Sequence, residues 1–195
     1  TGAIPTTLLI PQVIDAVGDK VPVVAAGGFK DGRGLLAAMA WGADGIAMGT
    51  RFLMTQESPV PRATLQRYLD CHNPGEIIVS KAMDGLPQRM IMNELLADLE
   101  KAGKFSKLLI AMRNGMAFRK HTGATLFSLF KSAIAMSRDD DMTAAQAIMS
   151  ANAPMIIQKA MVEGDPAHGV LPSGQVAGVI DELLSCEQLI QSIVA

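Results

Sequence analysis

Two glycine-rich turns, each preceded by a short apolar run, constrain most strongly what this chain can fold into. Residues 21–26 include β-branched side chains in an apolar run, which is typical of a strand covered on both faces, and Gly27 and Gly28 follow at once. Residues 45–48 are predicted to form the next strand, and Gly49 and Thr50 end it. The order of elements predicts two neighbouring parallel strands in an α/β fold.

A helix is predicted between the two strands. Asp31 is placed as its N-cap, the helix runs to about Trp41, and Gly42 ends it. A helix that connects two strands in this way brings their carboxyl ends to the same edge of the sheet.

The two turns are therefore predicted to form adjacent seats for a phosphate group. Backbone N–H groups of glycine can approach an anion without a Cβ in the way. A single Gly-Gly pair has a simpler explanation, which is a loop that needs a positive φ angle. The combination of AAGGF, DGRG and GADGIAMGTRF is more specific than either turn alone.

This combination resembles the phosphate-binding end of an FMN-dependent (β/α)8 barrel, and in particular the nitronate monooxygenase (2-nitropropane dioxygenase-like) family. Flavin-dependent enoyl-ACP reductases share the segment. The resemblance implies that the two predicted strands are the seventh and eighth of a barrel, whose phosphate sites commonly follow these strands. It also implies that backbone atoms at the strand ends hold the FMN phosphate, with the hydroxyl of Thr50 as an additional donor.

The cofactor-binding residues expected from the resemblance lie in three places along the chain. They are Ala25, Ala26, Gly27, Gly28, Met48, Gly49, Thr50 and Gln175. Gln175 belongs to an SGQ turn that in the family lies beside the flavin ring, although a plain helix start with Ser173 as its N-cap explains the same residues. The family's catalytic histidine would stand immediately before Thr1, so no catalytic residue and no metal ligand is assigned within the chain.

The length of 195 residues is short for a barrel, which needs about 250. Two strands cannot close a barrel, and the chain does not begin with Met, so we expect the C-terminal part of a larger protein. Residues 1–58 are assigned to the last barrel units, 59–168 to an inserted helical cap domain, and 169–195 to a C-terminal barrel helix. Within the cap, helices are predicted at 62–71, 91–102, 106–116, 125–137 and 143–162, with a strand at 76–80.

Composition argues against several kinds of partner. A net charge of −2 and an aromatic content of 4% give no reason to expect nucleic acid. No apolar run approaches the ~20 residues of a membrane span. Cys71 and Cys186 lack metal spacing and are interpreted as free thiols, which predicts a cytoplasmic location. The consecutive residues Asp139 to Asp141 are interpreted as a solvated helix cap rather than a metal site.

The leading hypothesis is an FMN-dependent oxidoreductase that resembles nitronate monooxygenases and oxidises alkyl nitronates with oxygen. A rival hypothesis keeps FMN but assigns NAD(P)H-dependent reduction of a quinone or an enoyl thioester. A second rival is a non-catalytic subunit, since the base is expected outside the chain. The expected partners are a small-molecule substrate and the N-terminal remainder of the barrel. A homodimer is a further alternative.

Overall fold

A computed structural model of the chain describes residues 2–83, 85–101 and 144–195. The chain divides into two compact units. The first contains residues 1–78 and 173–195, and the second contains residues 79–172. The α/β character predicted from the sequence is present in the first unit. The predicted division at 1–58, 59–168 and 169–195 stays a prediction, although residues 59–78 lie in the first unit.

The first unit is built on a strand–helix–strand arrangement. Strand β1 (Val24–Ala26) pairs in parallel with β2 (Gly45–Ala47), and helix α2 (Gly32–Ala40) connects them. Helix α1 (Thr6–Val17) precedes β1 and continues through Pro11. One small apolar cluster joins these elements through buried side chains of α1, β1, α2 and their connections, and it consists of Ile10, Ala25, Phe29, Ala38 and Ala43.

Both ends of α2 match the signals in the sequence. The side chain of Asp31 accepts a hydrogen bond from the Arg33 N–H at 3.1 Å, which caps the start of the helix. Gly42 has a φ of 97° and its N–H bonds to the Met39 carbonyl, while Ala43 bonds back to Ala38. This pair of hydrogen bonds is the glycine-terminated ending that the sequence predicted.

After β2 the chain forms the short helix α3 (Thr50–Leu53), then α4 (Arg62–Leu69) and a 3-10 turn at Pro74–Glu76. The helix expected at 62–71 is confirmed as α4.

The C-terminal segment returns to the first unit and contains a 3-10 turn at Gln175–Val179 and helix α7 (Cys186–Val194). The prediction that Ser173 caps a long helix was wrong. Ser185 is the N-cap of α7, and it forms a reciprocal capping box with Gln188. The S-x-x-Q spacing was readable in the sequence, but the apolar spacing before it suggested a longer helix.

The second unit contains the second half of β3 (Ile77–Ser80), and all of β4 (Gln88–Ile91), α5 (Glu94–Lys101) and α6 (Ala144–Met161). β3 and β4 form a two-stranded sheet. The strand predicted at 76–80 is confirmed as β3. The helix predicted at 91–102 begins later, because β4 occupies its first residue and the Asn93 side chain accepts the Leu96 N–H.

The helix predicted at 143–162 is confirmed as α6. The helices predicted at 106–116 and 125–137 and the acidic residues Asp139 to Asp141 lie outside the described residues. Within the described part of the chain, no helix combines the length and apolar character needed to cross a membrane.

Candidate functional site

The two glycine turns leave neighbouring strands at the same edge. Ala26, the last residue of β1, pairs with Ala47, the last residue of β2. Gly27 and Gly28 follow the first strand and Met48 and Gly49 follow the second. The parallel register therefore places both turns beyond the carboxyl ends of adjacent strands, which is where α/β folds commonly bind ligands.

The first turn needs glycine for conformational reasons. Gly27 has a φ of 109° and Gly28 a φ of 83°, a region that side chains with a Cβ rarely adopt. Both residues are exposed. A Cβ at Gly28 would meet no protein atom within 4 Å, and a Cβ at Gly27 would lie 3.8 Å from the Thr6 hydroxyl oxygen. The turn therefore faces open space rather than packed protein.

The second turn has an ordinary backbone. Gly49 has a φ of −84° and a ψ of −69°, and a Cβ there would also meet nothing within 4 Å. Among the described residues, neither the Gly28 N–H nor the Gly49 N–H donates a hydrogen bond to another backbone group. Such N–H groups need an acceptor from water or from a ligand.

Thr50 joins the second turn to the C-terminal segment. Its hydroxyl oxygen accepts the Gly174 N–H at 2.9 Å. No described residue accepts a hydrogen bond from this hydroxyl, and its predicted role as a donor to a phosphate stays a prediction. The contact joins Gly174 to Thr50, and Gln175 is the next residue after Gly174. Gln175 is exposed. Its role beside a flavin stays a prediction.

The other predicted residues differ in how they face the site. Ala26 is exposed, whereas Ala25 is buried in the apolar cluster. Met48 is partly buried and packs against the same cluster. Both side chains therefore contribute to the core of the unit, and Ala25, which is buried, can reach a ligand only through its backbone atoms.

Arg51 is a buried cation directly after Thr50, and the sequence analysis did not identify it. The residue is 2% exposed, and Nη1 donates to the Glu182 carbonyl at 3.1 Å. Burial lowers the pKa of its guanidinium, while the carboxylates of Glu182, Asp181 and Asp31 raise it. Arginine is protonated in proteins at neutral pH, so Arg51 carries a positive charge inside the unit.

Lys30 is a second cation near the first turn. Its Nζ donates to the Val179 carbonyl and lies 3.9 Å from an Asp181 carboxylate oxygen. The following residue, Asp31, is held by Arg33, whose hydrogen bond to the carboxylate lowers the pKa of Asp31. Lys30 thus links the first turn to the C-terminal segment, as Thr50 does for the second.

These features fit a phosphate group. The space in front of Gly28 and Gly49 is open among the described residues, and the N–H groups of both glycines lack a backbone acceptor there. The Thr50 hydroxyl can donate, and the next residue in the chain, Arg51, is a buried cation. The donor set consists of backbone amides and one hydroxyl, which is suited to an anion and not to a metal ion.

The second unit contains an exposed histidine, His168, next to a carboxylate. Nδ1 of His168 lies 2.9 Å from the Asp165 carboxylate, and Lys159 lies 3.5 Å from it. Burial raises the pKa of Asp165, but its contacts with His168 and Lys159 outweigh this, so the pKa is lowered overall. The His168 side chain is 70% exposed, which agrees with a surface position.

Comparison with known protein families gives one match along the whole chain. The model of the family described as nitronate monooxygenase matches residues 1–195. The chain belongs to the nitronate monooxygenase family. The resemblance stated from AAGGF and GADGIAMGTRF is therefore confirmed.

Curated relatives within and beyond the family cover different parts of the chain. A protein of Rhodococcus jostii named (3aS,4S,5R,7aS)-5-hydroxy-7a-methyl-1-oxo-octahydro-1H-indene-4-carboxyl-CoA dehydrogenase is 48% identical over 195 residues, which are all of this chain and 54% of the relative. A probable nitronate monooxygenase of Staphylococcus saprophyticus is 40% identical over 96 residues, which are 49% of this chain and 26% of the relative. Both names are those of oxidoreductases.

A solved structure is similar over almost the same extent. FabK from Thermotoga maritima matches with a TM-score of 0.63 and 26% identity, and the match covers 99% of this chain and 49% of that one. This member of the nitronate monooxygenase family thus spans about half the length of the relatives that it matches from end to end.

Proposed function

We propose that this chain is the phosphate-binding part of an FMN-dependent oxidoreductase built on a (β/α)8 barrel. β1 and β2 are its seventh and eighth strands, and the FMN phosphate rests on the backbone of the turns at 26–28 and 49–50. The observation that carries the proposal is the pair of open glycines, Gly28 and Gly49, at the carboxyl ends of adjacent parallel strands.

The residues of this chain then bind and orient the cofactor. When bound, FMN supplies the redox chemistry. The N–H groups of Gly28 and Gly49 and the hydroxyl of Thr50 hold the phosphate, and the Thr50–Gly174 hydrogen bond positions Gln175 toward the ring. The catalytic histidine is assigned to the residue immediately before Thr1, and the remainder of the barrel to an N-terminal segment.

The first candidate activity is the oxidation of alkyl nitronates with oxygen, which is supported by the family match over residues 1–195. The second candidate is the NAD(P)H-dependent reduction of an enoyl thioester or a quinone. It is favoured by the CoA dehydrogenase name of a relative that is 48% identical over the whole chain. The residues at 59–168 form the cap domain of either enzyme, and we place the enzyme in the cytoplasm, as a monomer or a homodimer.

The first experiment identifies the cofactor. The natural protein is purified without added flavin, its visible spectrum is recorded, and the ligand released by denaturation is identified by chromatography. We expect the absorption of an oxidised flavin in the blue region and release of FMN. Release of FAD, or a colourless protein that does not take up FMN, would contradict the proposal.

The second experiment separates the two activities. The flavin-loaded protein is mixed anaerobically with NADH, NADPH or an alkyl nitronate, and its absorbance is followed. Bleaching by the nitronate alone supports the nitronate monooxygenase activity, whereas rapid bleaching by NADH or NADPH supports the reductase. Reoxidation of the reduced flavin on addition of an enoyl-CoA then distinguishes a thioester substrate from a quinone.

A further inference from the structure

Arg51 is an incompletely satisfied cation inside the first unit. It is 2% exposed, and one guanidinium nitrogen donates to the Glu182 carbonyl. Its Nε is buried and has no hydrogen-bond partner. Among the described residues, no carboxylate forms an ion pair with Arg51 within 4.0 Å. Burying a charge is costly unless it is paired, so the position needs an explanation.

The acidic residues nearby do not neutralise Arg51 directly. Asp31 is bound by Arg33 at 2.5 Å, and Asp181 lies 3.9 Å from Lys30. Asp181 and Glu182 are exposed, so water and salt screen their charges. The charge of Arg51 is screened much less, because little water surrounds it.

Arg51 is next to the proposed phosphate seat in the chain. Arg51 follows Thr50, and both belong to α3, which begins at the second turn. Its guanidinium is directed inward to the Glu182 carbonyl, so it does not reach a ligand in the open space in front of Gly49. An effect on a bound anion would act through the protein interior, at a distance, rather than through a hydrogen bond.

We propose that Arg51 makes this site select the phosphorylated flavin over riboflavin, by supplying a buried positive charge behind the turn at Gly49 and Thr50. The inference rests on the proposed FMN site and adds a residue that determines its selectivity. Arg51 is a positioning residue in this scheme, since it also holds the 181–182 segment while the turns contact the phosphate.

The test compares FMN with riboflavin, which lacks the phosphate. The affinity of the flavin-free protein for each is measured by quenching of flavin fluorescence, in the natural protein and in Arg51→Met, Arg51→Gln and Arg51→Lys. For Arg51→Met we expect FMN affinity to fall about tenfold or more, with riboflavin affinity within about twofold, because one buried charge is lost. Arg51→Gln keeps a side-chain donor without the charge and should behave similarly, whereas Arg51→Lys should retain most of the preference.

Arg33→Met is the matched control. It also removes a positive charge from the same stretch, but the Arg33 side chain is 86% exposed and is bound to Asp31. Its FMN and riboflavin affinities should both stay within about twofold, since an exposed charge is screened. If Arg51→Met does not fold, the comparison of Arg51→Lys with Arg51→Gln answers the same question.

Three outcomes would overturn the inference. A parallel loss of FMN and riboflavin affinity in Arg51→Met and Arg51→Gln would show a purely structural role. An unchanged preference for FMN in both variants would show that Arg51 does not determine the selectivity. It would not contradict the proposed FMN site. A natural protein that binds the two flavins equally, or neither, would overturn the phosphate seat itself and this inference with it.

Discussion

The glycines that follow the two strands face open space among the described residues, whereas the glycines near the C-terminal segment are closely packed. A Cβ at Gly28 or Gly49 would meet no protein atom within 4 Å. A Cβ at Gly32 would stand 2.7 Å from the Ile193 carbonyl oxygen, and one at Gly178 would stand 2.4 Å from the Pro74 nitrogen. The folded chain thus explains Gly32 and Gly178 by close packing. It gives no packing reason for Gly28 and Gly49. The positive φ of Gly28 favours glycine there, whereas the backbone of Gly49 has no such requirement.

Openness alone does not make a binding site. Gly18, at the end of α1, and Gly45, at the start of β2, also face open space. Gly28 and Gly49 differ from them because they follow the carboxyl ends of adjacent parallel strands, where N–H groups lack partners. Gly18 and Gly45 are therefore suitable control positions for substitutions at Gly28 and Gly49.

The largest expected effect comes from a packed glycine. Gly178→Ala would place a Cβ 2.4 Å from the Pro74 nitrogen and 2.5 Å from the Asn73 carbonyl carbon. Backbone atoms cannot move aside as flexible side chains do, so we expect a loss of about 3 kcal/mol or more in the free energy of unfolding. Urea denaturation measures it. Val179→Ala, at an exposed neighbour, should change the stability by less than about 1 kcal/mol.

Gly28→Ala should reduce FMN binding more than it reduces the stability of the protein. The φ of 83° costs a side chain about 1–2 kcal/mol, while the added methyl group meets no protein atom. FMN retention on purification should be abolished because the methyl group occupies the space of the phosphate. Flavin absorbance per protein measures this.

Gly18→Ala is the control for Gly28→Ala. Gly18 has a φ of 56° and a ψ of −150°, where a side chain is also strained, and it also faces open space among the described residues. It should retain its flavin. Normal flavin occupancy in Gly28→Ala, or equal loss in both variants, would contradict the phosphate seat.

Gly49→Ala should separate binding from stability most clearly. A φ of −84° suits alanine, and nothing lies within 4 Å of the new Cβ. We expect the thermal midpoint without flavin to stay unchanged and FMN affinity to fall about tenfold, or ~1.4 kcal/mol. Titration with FMN measures the affinity. Gly45→Ala, at the other end of β2, should leave the affinity unchanged, and equal losses in the two variants would argue against a site at Gly49.

The effect on FMN binding expected at Thr50 is of the same size as that expected at Gly49. Thr50→Ala removes the acceptor of the Gly174 N–H and the proposed phosphate donor together. We expect about 1 kcal/mol less stability and FMN binding weaker by about 1–2 kcal/mol. Thr50→Ser keeps the hydroxyl and should restore both quantities in denaturation and FMN titration. A Thr50→Ala variant with lower stability but full FMN affinity would limit this residue to fixing the C-terminal segment.

The local signals in the sequence predicted the strand–helix–strand part of the fold well. β-branched runs, the Asp31 cap and Gly42 are short-range features, and each determines its structure within a few residues. The parallel pairing of β1 and β2 followed from the helix between them. The two open turns followed from the glycines, although their openness depends on what surrounds them in space.

The contacts between distant segments could not be predicted in the same way. Thr50 with Gly174 and Arg51 with Glu182 join residues that are 124 and 131 positions apart. A basic residue after a turn is usually exposed, and nothing local indicates that Arg51 is buried. The cap of α7 was missed for a different reason, since Ser173 and Ser185 both precede apolar residues and only Ser185 has a glutamine three positions later.

The hydrogen bond between Thr50 and Gly174 also has a consequence for biosynthesis. A ribosome that has just made Thr50 must add 124 more residues before Gly174 exists. At about 5–20 residues per second, the nascent turn waits on the order of ten seconds for its partner. A phosphate seat that depends on this hydrogen bond would therefore be completed only after the ribosome has made Gly174.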